Sequence, residues 1–130
     1  MKSEDILMLN DKNWEKVVEV GEKPVVVMFF SASCPYCKQM EPYFTKYASE
    51  YADNIVFAKL NIKENLTIVG RYGIMGTPTF KFFCKGKPVS EMTGIFYPPL
   101  LKKNVEDFLL HGPKCVDKTT WIDYSISGYV

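Results

Sequence analysis

Two cysteines stand two residues apart in Cys34-Pro35-Tyr36-Cys37, and no other residues of the chain are as well spaced for chemistry. They follow an apolar run, Val25-Val26-Val27-Met28-Phe29-Phe30, and a short stretch of small residues, Ser31-Ala32-Ser33, just where an amphipathic helical pattern begins. A thiol at such a junction meets backbone N–H groups that lack intrahelical partners and the positive end of the helix dipole. Both favour thiolate over thiol. Cys34 is therefore the candidate nucleophile. The i, i+3 spacing puts Cys37 on the same helix face one turn further in, within reach of a disulfide with Cys34 and partly covered by it. Cys37 is the candidate resolving thiol. Taken alone, the pair is also half of a zinc site, although zinc would prefer two such pairs.

The elements that must hold this pair are legible around it. β-Branched and aromatic residues without polar alternation make 25–30 a central strand covered on both faces, opened by Pro24. A long helix is expected from Cys34 to about residue 51, with Met40, Phe44, Tyr47 and Tyr51 along one face and a kink at Pro42. Upstream, residues 6–9 suit a short strand, and Asn10 can cap a helix to residue 20 that Gly21 ends. Downstream come a strand over 55–61 and a helix over 64–72 stopped by Gly73. A β-hairpin follows, with 80–84 and 89–93 joined by a turn at 85–88. Pro98-Pro99 opens a last helix with Leu100, Leu101, Val105, Phe108 and Leu109 as its apolar face, stopped by Gly112-Pro113. Residues 112–130 have no clear period, though Trp121 and Ile122 could cover apolar surface.

Composition sets the bounds. The chain has 130 residues, 47% of them hydrophobic, enough for one domain with a real core and no need of disulfide staples. With 16 basic and 15 acidic side chains there is no field to draw in nucleic acid or an anionic membrane surface. No stretch approaches a membrane span, and the apolar run after Met1-Lys2-Ser3-Glu4-Asp5 is too short for a secretory signal, so the expected location is the cytoplasm. Four cysteines are too few for a secreted disulfide framework; in a reducing compartment, Cys-x-x-Cys between strand and helix points to redox chemistry or metal.

With the Cys-Pro-Tyr-Cys pair, the Thr77-Pro78 turn and a β-α-β-α-β-α-β-β-α order in hand, the chain resembles thioredoxins over roughly residues 5–111. The likeness is carried by Phe29-Phe30 ahead of Cys34, Lys38, Pro42, Ala58-Lys59-Leu60-Asn61-Ile62, Tyr72-Gly73-Ile74, Gly76-Thr77-Pro78-Thr79, Lys85-Gly86 and Gly94. It implies an α/β thioredoxin fold, a central mixed sheet of about five strands flanked by about four helices, in a domain spanning 1–111 with 112–130 as a tail. It also implies that Pro78 is the family's cis-proline beside the disulfide, with Thr77 offering backbone groups to an extended substrate. By the same resemblance, Gly76 and Gly94 let a substrate backbone approach, Pro35 and Tyr36 border the groove, and Lys59 is a semi-buried lysine beneath the cysteines with a proton-transfer or electrostatic part. A glycine before Thr-Pro is otherwise an ordinary turn residue.

The departures are specific. Pro35-Tyr36 replaces the Gly-Pro of thioredoxin with the pair typical of glutaredoxins. Residues 6–20 and the lack of paired glycines and an acid after Pro78 weigh against a glutaredoxin. Met28 stands where thioredoxin buries an aspartate serving the resolving cysteine, and Phe30 and Ser33 where it carries tryptophans. Cys84 and Cys115 are expected to be unpaired thiols rather than a second disulfide or part of a four-cysteine metal site. His111, the only histidine, suits a helix C-terminal cap better than a base.

The expected function is thus thiol–disulfide oxidoreduction, reducing or exchanging disulfides of other proteins through Cys34 and Cys37, without bound cofactor or metal. The expected partners are disulfide-containing proteins and a thioredoxin reductase or small-thiol reductant, with the enzyme a monomer. A thioredoxin-fold binding module and a glutathione-linked glutaredoxin-like enzyme are the alternatives.

Overall fold

The computed structural model describes residues 6–21, 23–94 and 98–111, the side chain of His111 excepted. The elements run β1 (Ile6–Leu9), a π-helical turn (Glu15–Glu19), β2 (Val25–Phe30), α1 (Pro35–Tyr51), β3 (Val56–Asn61), α2 (Leu66–Tyr72), β4 (Thr79–Cys84), β5 (Lys87–Thr93) and α3 (Pro98–His111). One five-stranded sheet has the order β1-β3-β2-β4-β5. β1 and β2 pair parallel with β3, whereas β4 is antiparallel to β2 and β5 to β4. The run that lacked polar alternation is therefore the middle strand. Its two faces feed two cores.

Val26 and Met28 join Met40, Phe44 and Tyr47 of α1, Phe80 and Phe82 of β4, and Leu101, Val105 and Phe108 of α3. Val25, Val27 and Phe29 join Trp14, Val18, Leu60, Ile68 and Phe83 on the opposite side. Each buried phenylalanine removes enough apolar surface to contribute roughly 1.5–3 kcal/mol. Phe44 packs its ring 5.3 Å from Phe57 and 5.5 Å from Phe80, holding α1 against the sheet from which it departs. The amphipathic face assigned to α1 is the one buried, and the helix runs through Pro42 without a break.

Three expectations need correction. The helix over 10–20 is only a π-helical turn. Asn10 Oδ1 accepts the N–H groups of Lys12 and Asn13, both at 2.8 Å, and holds 11–13 as a turn. The chain then winds with Val20 N–H donating to Glu15 O at 2.9 Å. Gly21 closes this turn so tightly that a Cβ would lie 2.3 Å from Val17 O. The hairpin turn is shorter than expected: Lys85 and Gly86 both take positive φ, 51° and 83°, the two-residue geometry that matches strand twist, and β5 starts at Lys87. In α3, Leu100 is 45% exposed and lies off the buried face.

The expectations for residues 112–130, for Cys115 and for the His111 side chain lie outside the described residues.

Candidate active site

The end of β2 delivers the chain to α1, and the last residue before the helix is Cys34. It is the N-cap, with extended φ −90° and ψ 112°, and Pro35 occupies the first turn, where its missing N–H costs nothing. Cys34 N–H donates to Ser31 O at 3.1 Å, which fixes the loop. The Ser31 and Ser33 hydroxyls lie 3.1 Å apart. Cys34 Sγ accepts the Cys37 N–H at 3.2 Å, so the thiol does the work that a serine or aspartate oxygen does at other caps.

The two thiols are unequal. Cys34 is half-buried and Cys37 only 4% exposed. Burial opposes ionisation of Cys34, but hydrogen bonds from the Cys37 and Thr77 side chains and from the Cys37 and Tyr36 N–H groups outweigh it and hold this thiol below the usual 9.0. For Cys37, burial comes first and the hydrogen bond with the Cys34 side chain adds to it, so the thiol is pushed up to about 11. Both cysteines are free.

The second wall is the turn before β4. The Thr77-Pro78 bond is cis, as the resemblance implied, and the Cys34 thiol can donate to Thr77 O at 3.5 Å. Thr79 Oγ1 donates to Gly76 O at 2.7 Å, and Gly94 N–H donates to Pro78 O at 2.8 Å, which ties both glycines to this turn. Gly94 needs to be glycine for its backbone, with φ of 93°. Gly76 does not: a Cβ there would meet only Thr93 Cγ2, at 3.9 Å. Tyr36 is half exposed, and Met75, which sequence reasoning passed over, is 95% exposed beside Gly76.

Lys59 comes from β3, in register with Met28 of β2. It lies 5.2 Å from the centre of the Phe30 ring and pairs with Glu41 of α1. A cleft of about 240 Å³ joins this pair to Cys37, lined also by Met28, Phe30, Ser31, Ala32 and Lys38. Glu41 was missed in the sequence. The available signal was its i, i+4 spacing from Cys37, which shares a helix face.

Cys84 corrects the sequence reading. It is disulfide-bonded, not a free thiol. Chain separation says nothing about which thiols meet in space, and the other sulfur lies outside the described residues. Among the described residues, no three His, Cys, Asp or Glu side chains gather as metal ligands. No described helix is long and apolar enough to cross a membrane.

A dithiol at the start of a helix, on a sheet with parallel β1-β3-β2 and an antiparallel hairpin, defines a thiol–disulfide oxidoreductase. The thioredoxin family model matches residues 5–107. Among relatives, the thioredoxin of Alicyclobacillus acidocaldarius is 35% identical over 103 residues, covering 79% of this chain and 97% of its own. The F-type chloroplast thioredoxin of Spinacia oleracea is 41% identical over 93 residues, 71% of this chain and 48% of that protein. The M-type chloroplast thioredoxin of Brassica napus is 34% identical over 104 residues, 80% of this chain and 59% of that protein. This chain belongs to the thioredoxin family. Its class is protein-disulfide reductase, and membership implies disulfide-containing protein targets and a reductase.

Proposed function

We propose that Cys34 attacks a substrate disulfide and Cys37 resolves the resulting mixed disulfide. The observation that carries this division is the hydrogen bond from Cys37 N–H to Cys34 Sγ at the helix start, on the more exposed of the two thiols. A sulfur that accepts N–H bonds is stabilised as thiolate, and the thiolate is the attacking species. Attack forms a bond from Cys34 Sγ to one substrate sulfur and releases the other as a thiolate. Cys37 then attacks Cys34 Sγ, the second substrate sulfur leaves, and an internal disulfide remains. The substrate has gained two electrons. An extended substrate segment lies beside Thr77 and Pro78, bordered by Pro35, Tyr36, Gly76 and Gly94. The dithiol is restored by a thioredoxin reductase or a small thiol, and residues 1–111 suffice for this cycle. The glutaredoxin-type Pro35-Tyr36 pair makes the couple more oxidising than that of thioredoxin.

Trapping tests the division of labour. Cys37→Ser should accumulate covalent mixed disulfides with protein substrates, and Cys34→Ser almost none. Equal trapping by both variants would overturn it.

A further inference from the structure

Resolution of the mixed disulfide presents a proton problem. Only a thiolate can attack a disulfide sulfur, and Cys37 is buried. Burial is the first cause that pushes its thiol up, and burial persists when Cys34 is bonded to the substrate, so few molecules carry a Cys37 thiolate at pH 7. The 240 Å³ cleft is where the proton can go: it touches Cys37, and at that size it is roomy enough for water. Three other titratable groups line it. Lys38 and Lys59 present ammonium groups, which donate and do not accept. Cys34, which lies outside this lining, is by then bonded to the substrate. Met28 and Phe30 give apolar walls. Glu41 supplies the only carboxyl group among the side chains that line the cleft.

Its placement fits that task. Cys37 and Glu41 are i, i+4 on α1, so both side chains come off one face of the helix. The Lys59 ammonium holds Glu41 Oε2 from the β3 side, and the Glu41 side chain is 47% exposed against 16% for Lys59. The carboxylate thus spans from the buried thiol's cleft to solvent. We infer that Glu41, steadied by Lys59, accepts the Cys37 proton through water in the cleft as Cys37 attacks the mixed disulfide.

The step balances. The Cys37 S–H bond breaks and its proton passes to the Glu41 carboxylate, while the electron pair left on sulfur forms the bond to Cys34 Sγ. The bond from Cys34 Sγ to the substrate sulfur breaks, and the pair leaves with the substrate as thiolate. Glu41 then returns its proton to solvent.

The inference rests on the proposed roles of the two cysteines, and its test separates the two. A mixed disulfide is formed on Cys34 by mixing reduced enzyme with a chromogenic aromatic disulfide, and attack at Cys34 and release by Cys37 are followed as separate phases between pH 5 and 11. Loss of the first phase in the wild type would undo the cysteine assignment itself. Glu41→Gln should keep the first phase within about twofold and slow the second about tenfold or more at pH 7, a typical lower range for one proton acceptor. The deficit should shrink as pH rises and Cys37 ionises unaided. Glu41→Asp should recover part of the rate. Lys59→Met removes the support but keeps the carboxylate, so its second phase should slow less than that of Glu41→Gln. A Glu41→Gln second phase equal to wild type at all pH values overturns the inference. So does an equal loss in Glu41→Gln and Lys59→Met, which would assign the effect to the ion pair.

Discussion

One N–H separates the behaviour of two chemically identical side chains. Cys34 receives the Cys37 amide on its sulfur, and Cys37 is shut away by the same turn. Alkylation of Cys34 should therefore rise with pH to a midpoint below 9.0, and Cys37→Ala, which removes a side-chain hydrogen bond to Cys34, should move that midpoint upward. The stability consequences have opposite signs. Cys34, held low in the fold, adds stability above the unfolded thiol's pKa and loses it as pH falls through the folded value. Cys37, raised to about 11, adds stability below the unfolded pKa and loses it as pH climbs towards 11. Denaturant melts of the reduced protein between pH 8 and 11 should thus show a decline that Cys37→Ala lacks. Both sulfurs were legible in the sequence because helix ends announce themselves through composition. Glu41 was not, because its significance depends on Lys59, eighteen positions away on β3, and only the parallel pairing of β2 with β3 brings that lysine under α1.

Elements explain why the groove has its shape. The turn from Gly76 to Pro78 is pinned to the end of β5 by Gly94 N–H, and Gly94 takes a φ of 93° that an L side chain resists. Gly94→Ala should cost about 1–2 kcal/mol in a denaturant melt. Gly76→Ala has space for its methyl and should stay within about 0.5 kcal/mol of wild type. If Gly76 serves to admit a substrate backbone, that variant should still raise KM for a protein substrate while sparing a small disulfide; an unchanged KM removes Gly76 from the groove. At this scale the sequence was most readable where periodicity was strong. β1 and β2 fall on their expected residues, and α1 starts at Pro35, directly after the cysteine expected to open it. The segment after Asn10 was misjudged because helical spacing of Trp14, Val17 and Val18 does not distinguish an α-helix from a wider π turn. What decides is tertiary: Trp14 lies 5.3 Å from Phe83 edge-on and 5.4 Å from Tyr72, contacts made with β4 and α2.

The molecule as a whole sets the energy of the couple. Met28 is buried between Lys59 and Phe80 in register, so this position of β2 carries no acid to resist a thiolate, and the nearby Glu41 charge is offset by Lys59. With Pro35-Tyr36 acting in the same direction, the midpoint should lie above the roughly −270 mV of thioredoxin, towards the −200 to −230 mV or so of glutaredoxins. A difference of about 40–70 mV amounts to roughly 2–3 kcal/mol in favour of the dithiol. Equilibration with glutathione buffers measures it, and a midpoint at or below thioredoxin's would refute the argument. Pairing of Cys84 could not be read from the chain, since a cysteine at a strand end looks the same whether bonded or free. It also gives this reductase a disulfide of its own to live with. A thiolate attacks along the S–S axis and must reach the sulfur first, yet Cys84 is 4% exposed beneath the same core that seats Phe82 and Phe108. The Cys84 end of that bond is thereby closed to an incoming thiolate, so that one chain holds a sulfur made to be exchanged and another that the fold keeps out of the exchange.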